Sequence, residues 1–315
     1  MEVRRGALIE SIHRGRVAVC NLEGEVLEAN GDPDAYVYVR SSAKPFQALP
    51  LVLSGTAGDF GLTEEELAVA CASHNAEERH LAAVRSILEK AGLPEEALQN
   101  GAHPPMYETA AAKLVRNGEG PRSIHGNCSG KHAGMLAVCV HEGWDTESYR
   151  DPHHPLQQWI LTLISEVCGV EREAIVLGGD GCGVPAFAMP LRSLATGFAR
   201  ISTGERLSPE LANATLEIRD AVRNHPFMVA GTGRFDTTVM EATSLVAKSG
   251  AEGMFAAGSP EGWGMAIKIS DGAGRAVRPA ARAALARRGV DVGEAGATPV
   301  RDLSGEQVGE IKAVL

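Results

Sequence analysis

The sequence predicts an α+β fold, with an antiparallel sheet built from N- and C-terminal strands beside a helical lobe. Three observations predict it. Short apolar, strand-like runs lie near both ends of the chain. Helical spacing dominates the middle. Strands and helices do not alternate as a βαβ repeat would require.

From the N-terminus, Leu8 to Ala29 reads as a hairpin. Val17–Asn21 and Val26–Ala29 flank a Leu22-Glu23-Gly24-Glu25 turn, with glycine available for positive φ. Gly31-Asp32-Pro33-Asp34 is a loop, and Ala35–Arg40 alternates like a strand end. Segments 64–72, 76–92, 132–141, 154–167 and 209–223 carry helical spacing and good helix formers. Segments 243–248, 253–257 and 264–270 return to short apolar strands, and a last helix covers about 278–288. The chain is thus expected to be one unit over 1–315. Its sheet comes from about 5–40 and 243–272, with the C-terminal helix at 278–288 and the helical lobe at about 45–230.

Composition excludes several classes. Of 315 residues, 44% are hydrophobic and 22% charged, too much apolar material for a disordered chain. The net charge of −10 and an aromatic share of 4% argue against a nucleic-acid partner. No run approaches the ~20 apolar residues needed to span a bilayer, so no membrane is expected. Met1–Val17 has no apolar stretch of signal-peptide length, so a cytoplasmic location is expected. Six cysteines in a chain this long do not form a disulfide scaffold. No G-x-G-x-x-G opens a helix after a strand, and Gly231-Thr232-Gly233 reads as a turn.

Three short motifs carry chemistry. Ser41-Ser42-Ala43-Lys44 is an S-x-x-K, and on a helix its first and last residues share a face. A desolvated lysine can take the proton of a serine, which is a weak nucleophile otherwise. Pro45 disfavours helical geometry at Lys44, unless Ser42 caps the helix and Pro45 falls in its first turn. The second motif is Ser73-His74-Asn75, where Asn75 and Glu78 are spaced like a capping box. The third is Lys248-Ser249-Gly250, at the end of a strand-like run. Alone, each is better explained by a cap or a turn. Their order, S-x-x-K then S-x-N then K-[ST]-G, is that of serine β-lactamases and penicillin-binding proteins. The second motif comes early, and His74 replaces the usual aspartate, so the chain reads as a relative of that architecture.

Cys128 precedes a helix, and Cys182 lies in the glycine-rich loop 178–185. Two thiolates could bind zinc, with His125, Lys131, His132 or Asp180 as a third ligand. No C-x-x-C occurs, so spacing leaves buried structural cysteines as the alternative.

The strings RSSAKPFQALPLV (40–52), ASHNAEERHL (72–81), HGNCSGKHAGMLAVC (125–139), HPLQ (154–157), DGCGVPAFAMPLR (180–192) and GTGRFDT (231–237) resemble the asparaginase II family, the rhizobial-type or class 3 L-asparaginases. The resemblance runs from about residue 5 to 272. It implies a serine β-lactamase-like fold, a homodimer, and hydrolysis of L-asparagine to L-aspartate and ammonia. It also implies two Ser-Lys pairs, Ser41 with Lys44 and Ser73 with Lys248. A zinc site made by Cys128, Lys131 and Cys182 follows from the same matching, with Asp180 as a nearby acid. Arg40, Asn75 and Asp180 are expected to bind substrate. Lys268, two strands on, is the alternative second lysine, but Ser249-Gly250 favours Lys248.

The expected chemistry is acyl transfer. Ser41 attacks the side-chain amide after Lys44 takes its proton, backbone N–H groups hold the oxyanion, and Ser73 with Lys248 relays a proton to ammonia. Folding must then bring both amines to one pocket, where each cation depresses the pKa of the other and the rate rises through neutral pH. The rivals are a glutaminase or β-lactamase-like hydrolase, and a non-catalytic zinc-containing binding protein.

Overall fold

The structure is a computed structural model, and it describes residues 1–293 and 297–314. The N-terminal part contributes β1 (Glu2–Arg5), β2 (Leu8–Ile12), β3 (Gly15–Asn21), β4 (Val26–Asn30) and β5 (Tyr36–Tyr38). The middle contributes β6 (Val176–Gly179) and β7 (Pro185–Pro190). The C-terminal part contributes β8 (Val246–Gly250), β9 (Met254–Gly258), β10 (Trp263–Ile269), β11 (Thr298–Arg301) and β12 (Gln307–Lys312).

The main antiparallel sheet runs β4-β3-β10-β9-β8, so strands from both ends of the chain share it. This is the α+β arrangement expected from the sequence. The β3–β4 hairpin turns where the sequence places it. The Asn21 side chain accepts the N–H groups of Glu23 (3.1 Å) and Glu25 (2.8 Å) and so closes the turn. Helix Leu191–Thr203 lies across β10, β3 and β9. Gly258 and Gly264 permit that approach, because a Cβ at either would overlap the carbonyl of Phe198 or Ala195.

Several boundaries differ from the expectation. Tyr36–Tyr38 does not join the main sheet. It pairs with β7 in a three-stranded sheet, β5-β7-β6, set inside the segment expected to be a helical lobe. Its alternation marks a half-buried strand without naming the partner, and the short runs of β6 and β7 show no helix or strand period. A further sheet, β11-β12-β1-β2, joins the chain ends. β2 belongs there and not to the main sheet. Leu8, Ile9 and Ile12 are all exposed, so no period-2 pattern marks a buried face.

Three helices begin at a side chain that satisfies one of their first N–H groups. Thr63 and Glu66 make a capping box ahead of helix Glu64–Ala70, with bonds of 2.6 and 3.3 Å. Ser208 caps Pro209–Asn224, and the His154 ring caps Pro155–Cys168. Two expected caps are corrected. Helix Glu78–Lys90 is entered through Glu77, whose N–H donates to His80 Nδ1 (3.2 Å), and Asn75 is engaged elsewhere. Ser42 caps nothing. It lies in a 3₁₀ turn, Arg40–Ala43, which runs into the short helix Lys44–Gln47 with Pro45 in its first turn. Its hydroxyl donates to the Lys248 carbonyl (3.0 Å) and ties that turn to β8. No helix among the described residues is long and apolar enough to cross a membrane.

Candidate active site

Ser73 is the centre of the site. It follows helix Glu64–Ala70 in an extended segment, fixed by its N–H to the Val229 carbonyl (2.9 Å) and by the His74 N–H to the Asn127 carbonyl (3.2 Å). Lys44 Nζ and Lys248 Nζ each lie 3.0 Å from Ser73 Oγ. The two amines are therefore within twice that distance of one another, although they come from opposite ends of the chain. Lys44 leaves the helix start beside the sheet, and Lys248 sits in the middle of β8. Both are fully buried. A serine hydroxyl has two lone pairs and one proton. With both lone pairs occupied by amines, the Ser73 proton is free for a third group.

The surroundings treat the two lysines differently. Lys44 also donates to the carbonyls of Ala72 (2.5 Å) and Asn127 (3.5 Å). Burial is the main cause that holds its amine below the ordinary lysine range. Lys248 is pulled down to about 8, chiefly by burial, while Asp236 opposes the shift. Asp236 Oδ2 is 3.3 Å from the Lys248 amine, and Arg234 donates to the Ser73 carbonyl (3.1 Å) and to Asn75 Oδ1 (3.2 Å). Sequence reasoning assigned no role to Arg234 or Asp236. Their string GTGRFDT was visible, but nothing in it shows that helix Phe235–Ala242 returns its first turn to β8.

Ser41 lies one 3₁₀ turn ahead of Lys44 and is half-buried. Its hydroxyl has no hydrogen-bond partner among the described residues, and the Lys44 amine bonds Ser73 instead. Arg40, just before it, has φ of +49°. That left-handed conformation costs a non-glycine residue roughly 1–2 kcal/mol. The Arg40 guanidinium is held in place by Asp180 Oδ1, at 3.0 Å from Nε and 2.8 Å from Nη2. Burial alone would raise the Asp180 carboxyl, but Lys131 and Arg40 hold it below the usual range. Asn75 donates to Glu77 (3.2 Å) and to the Thr232 carbonyl (3.0 Å). Lys268 is outside this cluster, and its amine donates to the Glu252 carbonyl.

A second cluster adjoins the first. Cys128 precedes the buried helix Ser129–Glu142, Lys131 lies in that helix, and Cys182 follows Asp180 in the loop after β6. Lys131 Nζ is 3.1 Å from Cys182 Sγ, and Cys128 Sγ donates to Asn127 Oδ1 (3.2 Å). The interaction between the two cysteines pulls the Cys128 thiol far below its ordinary range and pushes Cys182 up, because a second thiolate beside the first is unfavourable. Among the described residues no group of three or more His, Cys, Asp and Glu side chains is arranged for a metal. The third donor of this cluster is an amine. Two thiols and a nitrogen suit a borderline-soft cation.

The segment 101–122 lies beside the site. Its helix, Glu108–Arg116, has no buried residue. Both ends are clasped by the Asn100 side-chain amide, which donates to the carbonyls of Gly101 (3.0 Å) and Ser123 (2.8 Å). Met106 Sδ accepts from Asn127 Nδ2 (3.2 Å) and Arg234 Nη1 (3.6 Å). Beneath the helix, Tyr107, Leu114, Leu81 and Arg85 line a cavity of about 390 Å³.

Comparison with known proteins sets this arrangement in a family. The chain is similar to solved structures of Mglu (14% identity, TM-score 0.43, covering 92% of this chain and 68% of that one). It is similar to a β-lactamase from Mycobacterium bovis (13% identity, TM-score 0.42, 88% and 95%). It is also similar to simvastatin synthase from Aspergillus terreus (10% identity, TM-score 0.40, 81% and 86%). No curated protein matches the sequence. The family model described as L-asparaginase II matches residues 1–313. A match over nearly the whole chain decides the matter: the chain belongs to the L-asparaginase II family and is an amidohydrolase.

Proposed function

We propose that the protein hydrolyses L-asparagine to L-aspartate and ammonia through a serine ester. The observation that carries the reading is the Ser73 hydroxyl held between two buried lysine amines, one of them from Lys44, the residue one 3₁₀ turn after Ser41 in the chain. Ser41 Oγ bonds to the side-chain amide carbon as its proton passes to Lys44. The C–N bond then breaks, and the nitrogen leaves as ammonia with the Ser73 proton, which Lys248 replaces. Water cleaves the ester. Its oxygen joins the carbonyl carbon, Ser41 recovers its proton from Lys44, and the water proton restores Lys248. Arg40 and Asp180 offer one cation and one anion, the complement of an amino acid's carboxylate and ammonium groups.

Cys128, Cys182 and Lys131 would hold a zinc ion. When bound, zinc supplies a fixed positive charge beside the lysines and an anchor for an amino-acid substrate. The two cysteine ligands would be thiolates and the lysine neutral, so binding releases protons.

Ammonia release from asparagine and from glutamine, with and without a chelator, tests the reading. Release from asparagine supports it, and release from neither substrate overturns it. A second assignment is favoured by one observation, since the Lys44 amine bonds Ser73 and not Ser41. Mass spectrometry of peptides from acid-quenched enzyme shows which serine carries the aspartyl ester. Modification at Ser73 would exchange the roles of the two serines.

A further inference from the structure

We propose that Asp236 is a positioning residue that keeps Lys248 as an ammonium ion on Ser73, so that in acylation Lys248 acts as the proton source and not as the base. The inference rests on the function proposed above and adds a residue to its machinery.

The Asp236 carboxylate is 1% exposed and fixed at both oxygens. Oδ1 accepts the Ser249 N–H (3.0 Å) and the Ser249 hydroxyl, and Oδ2 faces the Lys248 amine. It stands in the first turn of helix Phe235–Ala242, where the helix dipole favours an anion. A carboxylate this buried beside a neutral amine would be an uncompensated charge, which is strongly unfavourable. The pair therefore keeps its proton on Lys248.

Lys44 has no carboxylate on it: its acceptors are two carbonyls, the Ser73 hydroxyl and the Cys128 sulfur of the neighbouring cluster. The titratable and charged groups that face Lys248 are Asp236, Lys44, Arg234 and Cys71. Burial pushes the Cys71 thiol up to about 12, so Asp236 alone supplies negative charge. The two lysines around one hydroxyl are thus unequal by construction. During acylation the Lys248 ammonium gives a proton to Ser73 Oγ as the Ser73 proton leaves with ammonia. Lys248 is then neutral until the hydrolytic water restores it.

The test is a ¹³Cε-lysine NMR titration of the full-length protein, with the Lys248 resonance assigned by Lys248→Met, alongside the pH profile of kcat/KM for asparagine. Asp236→Asn should lower the Lys248 midpoint by about 1–3 pH units, the shift that an opposite charge at this range produces. The alkaline fall in kcat/KM should move with it. Asp236→Glu should return both toward the parent, which a purely shape-filling role would not do. An unchanged midpoint in a folded Asp236→Asn variant overturns the proposal. If that variant does not fold, the parent still decides. Its Asp236 carboxyl carbon should shift with the Lys248 midpoint, and a resonance that ignores that titration also overturns the proposal. A parent that releases no ammonia defeats the asparaginase reading, while the titration still decides the Asp236 assignment.

Discussion

Lys131 and Lys248 are both buried among polar side chains, a few residues from the same reacting groups, yet their amines are driven in opposite directions. In the sulfur cluster, burial pulls Lys131 down, but Cys182 and Cys128 outweigh it and leave the amine above its ordinary range. In the serine cluster, burial wins over a single carboxylate and Lys248 falls to about 8. Burial is therefore not what distinguishes the two lysines. The charge of the neighbours is: Lys131 faces two sulfurs and Asp180, while Lys248 faces one carboxylate against the cations Lys44 and Arg234, and each region uses its balance for a different end. The sulfur cluster gathers negative charge and fits a cation. The serine cluster is nearly balanced, so its protons can move at neutral pH.

The largest expected effect would separate the regions outright. Ser41→Ala should lower kcat/KM for asparagine by about 10³-fold or more, while elemental analysis still finds the parent's metal content. Activity within tenfold of the parent would remove Ser41 as the attacking group. Next comes the sulfur cluster. Cys128→Ala combined with Cys182→Ala should reduce zinc from about one per chain to near none, and full occupancy would place the metal elsewhere. In the parent, occupancy should fall at acidic pH, as protons compete for the thiolates and the amine.

A smaller effect sharpens the serine cluster. With Lys248 titrating at about 8, kcat/KM should decline above that pH as the proton source is lost. This caps the rise expected from a lysine base. Lys248→Met should abolish the decline along with most of the rate. Lys44→Arg should remain inactive, since arginine stays protonated and cannot serve as a base. The smallest effect is expected at Lys268. Its amine is occupied by the Glu252 carbonyl, so Lys268→Met should change kcat/KM by no more than about twofold, as for a surface substitution remote from the site. A large loss would move Lys268 into the machinery.

The motifs that build the site were legible because each is local. Ser41 to Lys44, Ser73 to Asn75 and Lys248 to Gly250 are short strings whose order carries information. The main sheet was legible for a related reason, since short apolar runs near both ends of the chain mark strands such as β3 and β10, which are buried along most of their length. What escaped was long-range. Nothing near Tyr36 says that its strand pairs with Pro190. Glu77 and His80, and not Asn75, start their helix, because the Asn75 amide is taken by Thr232 and Glu77. Asp236 is twelve positions from Lys248, and only the turn of helix Phe235–Ala242 against β8 brings the two together.

The Glu108–Arg116 helix has one more consequence. It buries none of its own side chains and spans a cavity, while a single asparagine amide fastens Gly101 and Ser123, where the segment that carries the helix begins and ends. Its unfolding therefore exposes little apolar surface, so local opening here should be far less costly than global unfolding. Limited trypsin digestion should accordingly cut first after Lys113 or Arg116, leaving two pieces that stay together through the rest of the core. Met106 links the same segment to Asn127 and Arg234. The rate of that first cut is thus a readout of whether the neighbouring site is filled, and it needs no turnover to be measured.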